Sequence, residues 1–157
     1  MSTHTIKVEA AIEGHEHCIE VCNGLLRGEL SAVETYGQAI DKYNGSPVVE
    51  ELRRIRSEHN ESANRLSANV REMGGEPEKD SGAWGLFATA VQGAANLFGA
   101  ESAIESLQRG EEMGRTDYQD ALLDENVMPG CKDMMREELL PRIIKHIATL
   151  ENLEKSL

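Results

Sequence analysis

The chain has 157 residues, few aromatic side chains and a formal net charge of −12. That length suits one domain able to bury a full core without staples. The acidic balance excludes a nucleic-acid surface and an anionic membrane surface, since both need clustered Lys and Arg.

The abundance of Ala, Leu, Glu and Arg favours helix over sheet. Three cysteines, Cys18, Cys22 and Cys131, form an odd count. No export signal is legible in residues 1–14, so reduced thiols in a cytoplasmic protein are expected. No stretch has the sustained hydrophobicity of a membrane span.

In chain order, residues 1–14 read as a loose arm or short lead-in. His15, Cys18 and Cys22 then share one helical face. They suit either a thiol–imidazole metal site or core packing, and the lack of a fourth ligand favours packing. A first long helix is expected over 15–43. Its seam is Ile19, Cys22, Leu26, Glu29, Val33, Tyr36, Ile40 and Tyr43, with Glu29 as the only charged member. Asn44-Gly45-Ser46-Pro47 offers a left-handed cap, an N-cap and a first helical residue in succession. So short a loop makes antiparallel neighbours.

The second helix runs to Met73 and is stopped by Gly74-Gly75. Its seam is Leu52, Ile55, His59, Ala63, Leu66, Val70 and Met73, in which His59 is the polar intruder. Residues 76–99 form the connection to the second half. Within it, 81–100 lacks charge and places Trp84, Phe87, Val91 and Phe98 near helical spacing. This predicts a crossover helix. A homodimer contact is the main alternative, and a membrane-surface helix would lack its basic flank.

The third helix covers 100–123, with Ala100, Ile104, Leu107, Glu111, Gly114, Tyr118 and Ala121 on its seam. Gly24-x-x-x-Gly28 and Gly110-x-x-x-Gly114 suggest close helix approach. After the Pro129-Gly130 turn, a fourth helix reaches Leu153, carrying Leu139, Ile143, His146 and Leu150 inward. Pro141 is expected to kink or restart it.

One frame occurs twice: Leu-x-Arg-Gly-Glu-x-x-small-x-x-x-Tyr-x-x-Ala, from Leu25 to Ala39 and from Leu107 to Ala121. Each copy is followed by a helix with a seam histidine. The chain reads as two pseudo-repeated helical hairpins. Glu29 and His59 stand about equally far from the first hairpin turn, roughly 20 Å at 1.5 Å per residue. Glu111 and His146 match in the second hairpin to about one turn. Four polar side chains from four helices therefore converge, and a buried carboxylate needs a cation, a donor or a metal. Glutamate with imidazole suits Fe, Zn or Mn.

The run Glu29-Leu30-Ser31-Ala32-Val33-Glu34-Thr35-Tyr36 resembles the first metal-binding helix of the ferritin-like superfamily, Glu-Leu-x-Ala-x-x-x-Tyr, as in bacterioferritin and rubrerythrin relatives. The similarity covers about residues 15–153 and is greatest to a bacterial ferritin-like branch without an assigned function. It implies an all-α, ferritin-like four-helix bundle with a crossover helix. It also implies that Glu29 and Glu111 are the single glutamate ligands of helices one and three, and that His59 and His146 are the histidines of the Glu-x-x-His motifs.

The glutamates of those motifs are replaced by Arg56 and Ile143. Glu58 points about 100° away around its helix. A full di-iron oxidase or peroxidase centre is therefore not expected. Two readings stay open. In one, Glu29, His59, Glu111 and His146 bind a metal in a stress- or metal-related protein. In the other, no metal binds, and Arg56 with the histidines neutralises Glu29 and Glu111 in a structural or interaction module.

Overall fold

The computed structural model describes residues 3–81 and 100–157, with side chains described for 15–81 and 103–157. All regular structure among these residues is helical. The elements are α1 (Thr3–Lys42), α2 (Val48–Glu72), α3 (Ala100–Leu123), α4 (Pro129–Met134), a π-helical segment (Met135–Leu139) and α5 (Leu140–Ser156). The expected crossover helix, and with it the Trp84–Phe98 contact face, lies outside the described residues.

The first helix begins at Thr3 rather than near His15, so residues 3–14 are not a loose arm. They contain no proline. A helix already nucleated downstream extends through such a stretch at small cost per residue. α1 packs on α2 and α3 packs on α5, while α1–α3 and α2–α5 contacts close the ring. No described helix is long and apolar enough to cross a membrane.

The turns form where the local chemistry requires them. Gly45 and Gly74 hold positive φ, at 87° and 84°, a region costly for residues with a Cβ. At the end of α2 the Gly74 N–H bonds the Arg71 carbonyl and the Gly75 N–H bonds that of Val70. This is the Schellman pattern, which satisfies carbonyls the helix leaves over. At the start of α2, Ser46 Oγ accepts from the Val48 N–H at 3.4 Å.

Pro141 lies in the first turn of α5, directly after the π-helical segment. An α-helical turn there would set its ring against the carbonyl four residues back. The wider π turn accommodates it, and the rod restarts as expected.

The core has two apolar clusters. One gathers Cys18, Cys22, Leu26, Ala63, Leu66, Tyr118, Met135, Leu139 and Ile143. The other gathers Ala32, Tyr36, Leu52, Ile55, Ile104, Leu107 and Leu150. Each fully buried aliphatic side chain contributes about 1.5–3 kcal/mol. Glu29, His59, Glu111 and His146 fall in sequence between members of the two clusters on their own helices. They form a polar layer at mid-bundle.

The glycine pairs do not bring helices together at Gly24 and Gly28. A Cβ at Gly28 would meet nothing within 4 Å, and one at Gly24 only the Arg27 side chain of its own helix. A Cβ at Gly114 would lie 3.6 Å from Ile143 Cδ1, an ordinary contact.

Candidate metal centre

The four site residues expected from the sequence are all buried and meet in one network. The inward stripe of each helix delivers them: Glu29 from α1, His59 from α2, Glu111 from α3 and His146 from α5. His59 stands between the carboxylates. Its Nδ1 is 2.5 Å from Glu29 Oε2, and its Nε2 is 2.6 Å from Glu111 Oε1. The Tyr118 hydroxyl donates to Glu29 Oε1 at 2.7 Å, and the Tyr36 hydroxyl donates to Glu111 Oε1 at 2.7 Å. His146 Nδ1 lies 3.3 Å from Glu111 Oε1. The His59 and His146 rings are 4.6 Å apart between centroids.

The electrostatics follow from burial and pairing. Burial alone pushes the His59 imidazole down, but the Glu111 and Glu29 carboxylates outweigh it and lift the group to about 10. Burial pushes Glu111 up, but His59 and His146 pull it down to about 2. Tyr36 and Tyr118 are driven well above the ordinary phenol range by burial and by the glutamates they face. They stay neutral donors.

Without a metal, then, His59 is an imidazolium between two carboxylates. Among the described residues, Glu111 Oε2 is buried without a hydrogen-bond partner, and His146 Nδ1 meets only Glu111 Oε1, at 3.3 Å and off the line of a good hydrogen bond. A buried oxygen left in this way is costly and calls for a ligand or ion.

Glu58 joins the centre after all. Its Oε1 is 3.2 Å from His146 Nε2, and its Oε2 accepts from Arg54 at 2.6 Å. The angular offset that points it away from α1 and α3 carries it toward α5 instead. Glu58 thus stands behind His146 Nε2, while Nδ1 faces Glu111. Glu29 plays the same part behind His59 Nδ1. A carboxylate behind each imidazole fixes tautomer and ring orientation, as is usual for metal-binding histidines.

Arg56 does not neutralise the core. It is exposed and makes no ion pair with Glu29 or Glu111. Its guanidinium lies 3.4 Å from where a Gly37 Cβ would be, on the outside of the bundle. The cation at the edge of the centre is Arg142, which donates to Ser62 Oγ at 3.0 Å and acts electrostatically on Tyr118. Nothing in the seam pattern marks it beyond its nearness to Pro141 and Ile143.

A small cavity of about 20 Å³ opens beside Glu29 and His59, lined in part by Gly28, Gly110 and Gly114. It has room for about one water. Ligand atoms of His59, Glu111 and His146 all lie within 4.8 Å of one another. This buried group can hold a metal ion, and two imidazoles with one carboxylate suit a first-row divalent cation. The donor set and the unpartnered Glu111 Oε2 both fit such an ion.

No curated protein and no solved structure matches the chain. One family model matches residues 17–124, a span that takes in Glu29, His59 and Glu111 and stops short of His146. The chain therefore belongs to the family described as a domain of unknown function, DUF2383.

Proposed function

We propose that this is a cytoplasmic, ferritin-like bundle protein that holds a single first-row divalent ion at a centre made by His59, Glu111 and His146. The observation that carries this reading is the compact buried donor set itself, His59, Glu111 and His146, in which Glu111 Oε2 has no hydrogen-bond partner among the described residues. Glu29 serves behind His59 rather than on the ion. Fe(II), Zn(II) and Mn(II) all suit two imidazoles and a carboxylate.

The ferritin-like reading, with two pseudo-repeated hairpins, is supported by the ring of packed helices, the mid-bundle polar layer and the reciprocal tyrosine–glutamate bonds. The role that fits is metal or stress handling with one ion. A two-iron centre would need glutamates where Arg56 faces solvent and Ile143 packs in the core.

A second reading is favoured by His59, whose two ring nitrogens both already bond carboxylates. In it the imidazolium is the permanent counter-ion and the bundle is a structural or interaction module. Elemental analysis decides between them, using protein purified without added metal and then loaded anaerobically with Fe(II), Zn(II) or Mn(II). One ion per chain, lost in Glu111→Gln and in His146→Ala, supports the metal centre. No ion under any loading condition rejects it in favour of the imidazolium clamp. Two ions per chain reject the single-ion centre.

A homodimer, through residues 84–98, is part of the same proposal. A monomeric mass by light scattering at micromolar concentration would remove that part.

A further inference from the structure

At one end of the bundle, sulfur atoms from three rods converge. Cys18 and Cys22 come from α1, Met73 from the end of α2 and Cys131 from the start of α4. All three cysteines are free and buried. Cys131 Sγ is the hub. Its thiol points to Met73 Sδ at 3.9 Å, and Cys22 and Cys18 are close enough to act on it electrostatically. Asn69 Nδ2 is 3.3 Å from Cys131 Sγ and 3.4 Å from Cys22 Sγ. The Met128 N–H donates to Cys18 Sγ at 3.1 Å.

Cysteines that merely fill a core need no such donors, and apolar neighbours would serve them as well. An amide shared by two sulfurs is the kind of outer-shell support that thiolate ligands receive.

We propose that Cys22, Cys131 and Met73 form a second metal site, for a soft monovalent ion of the Cu(I) class. Two thiolates and a thioether select Cu(I) over harder cations. Zinc would ask for a fourth ligand. Cys18 Sγ is held by the Met128 N–H at 3.1 Å and turns its own S–H to the Asn126 carbonyl, and Asp124 is taken by His17 Nε2 at 2.7 Å. On loading, Cu(I) replaces the S–H protons of Cys22 and Cys131, and both protons leave to solvent. The site stands two helical turns before Glu29 on α1, about 10 Å along the rod. It does not depend on the Glu/His centre.

The test is anaerobic titration of the reduced full chain with Cu(I) held by a chromophoric competitor, followed by X-ray absorption. The expected result is one Cu(I) withdrawn per chain, with sulfur scatterers alone. Cys131→Ser should leave the copper with the competitor. Asn69→Ala should weaken uptake about 10–100-fold. Arg56→Leu, at an exposed position outside both centres, should leave uptake unchanged. Nitrogen or oxygen scatterers on the ion, uptake that survives Cys131→Ser, or no uptake by the wild type would each overturn the proposal. The X-ray absorption arm needs no variant, so a misfolded mutant does not weaken it. Retention of Zn(II) in preference to Cu(I) would overturn it as well.

Discussion

Tyr118 hydrogen-bonds Glu29 across the bundle at 2.7 Å, and not Glu111, the glutamate of its own helix. Tyr36 does the reverse with Glu111. Each carboxylate thus depends on a hydroxyl delivered by another helix. Tyr118→Phe would leave Glu29 Oε1 short of a donor in a dry core. A loss of about 1–3 kcal/mol is expected, or a fall in Tm of several degrees for a domain of this size. Tyr36→Phe should cost a similar amount. Thermal and urea denaturation measure both. A change below 0.5 kcal/mol in either would show that the bond carries no net stability.

Glu58→Gln tests the carboxylate behind His146. Affinity for the divalent ion should drop about 10–100-fold, with less than about 1 kcal/mol lost in stability, since Glu58 lies at the edge of the core. Competition against a chromophoric chelator reads the affinity. Equal affinities would remove Glu58 from the centre.

The metal-stripped protein should have a stability that falls at both ends of the pH scale. His59 is raised from 6.5 to about 10, so its contribution is complete below 6.5 and disappears as pH rises through about 10. Glu111 is lowered from 4.5 to about 2, so its contribution is complete above 4.5 and disappears as pH falls toward 2. The two shifts together place a plateau between about pH 4.5 and 6.5. Urea denaturation in chelator at pH 5.5, 8 and 10 should give steadily falling stability, and His59→Gln should flatten that decline. Stability that rises toward pH 10 would contradict the assignment.

Arg56→Leu should change stability by no more than about 0.5 kcal/mol, because the side chain is exposed. A larger loss in denaturant melts would return Arg56 to the network.

Gly28 sits within α1 with open space where a Cβ would be. Gly28→Ala should therefore gain about 0.5–1 kcal/mol of helix propensity. Gly28→Phe should slow metal loading without changing the final stoichiometry, because the glycine borders the cavity beside His59. Stopped-flow loading measures this, and identical rates would remove the cavity as the way in.

The seam pattern was enough to bring Glu29, His59, Glu111 and His146 to one level, because helical rise and a short turn fix depth along a rod. It was not enough to say what each side chain faces. That depends on the rotation of each rod about its axis, and a one-dimensional pattern does not encode this. Arg56 sits three residues before a seam histidine and still faces solvent. Glu58 lies off the seam and still reaches His146. Nor does the pattern say that each tyrosine bonds the glutamate of the opposite helix. Cys131 offered no link to Cys18 and Cys22 in sequence, since only the fold brings α4 beside α1. The helical character of residues 3–14 was missed although Val8, Ala11, Ile12 and His15 recur at helical spacing and lead into the α1 seam.

The position midway between the two glutamates is filled by a single imidazole. His146 is set to one side, against Glu58. One ring therefore serves as counter-ion to two carboxylates at once, and its loss would strand two buried charges rather than one.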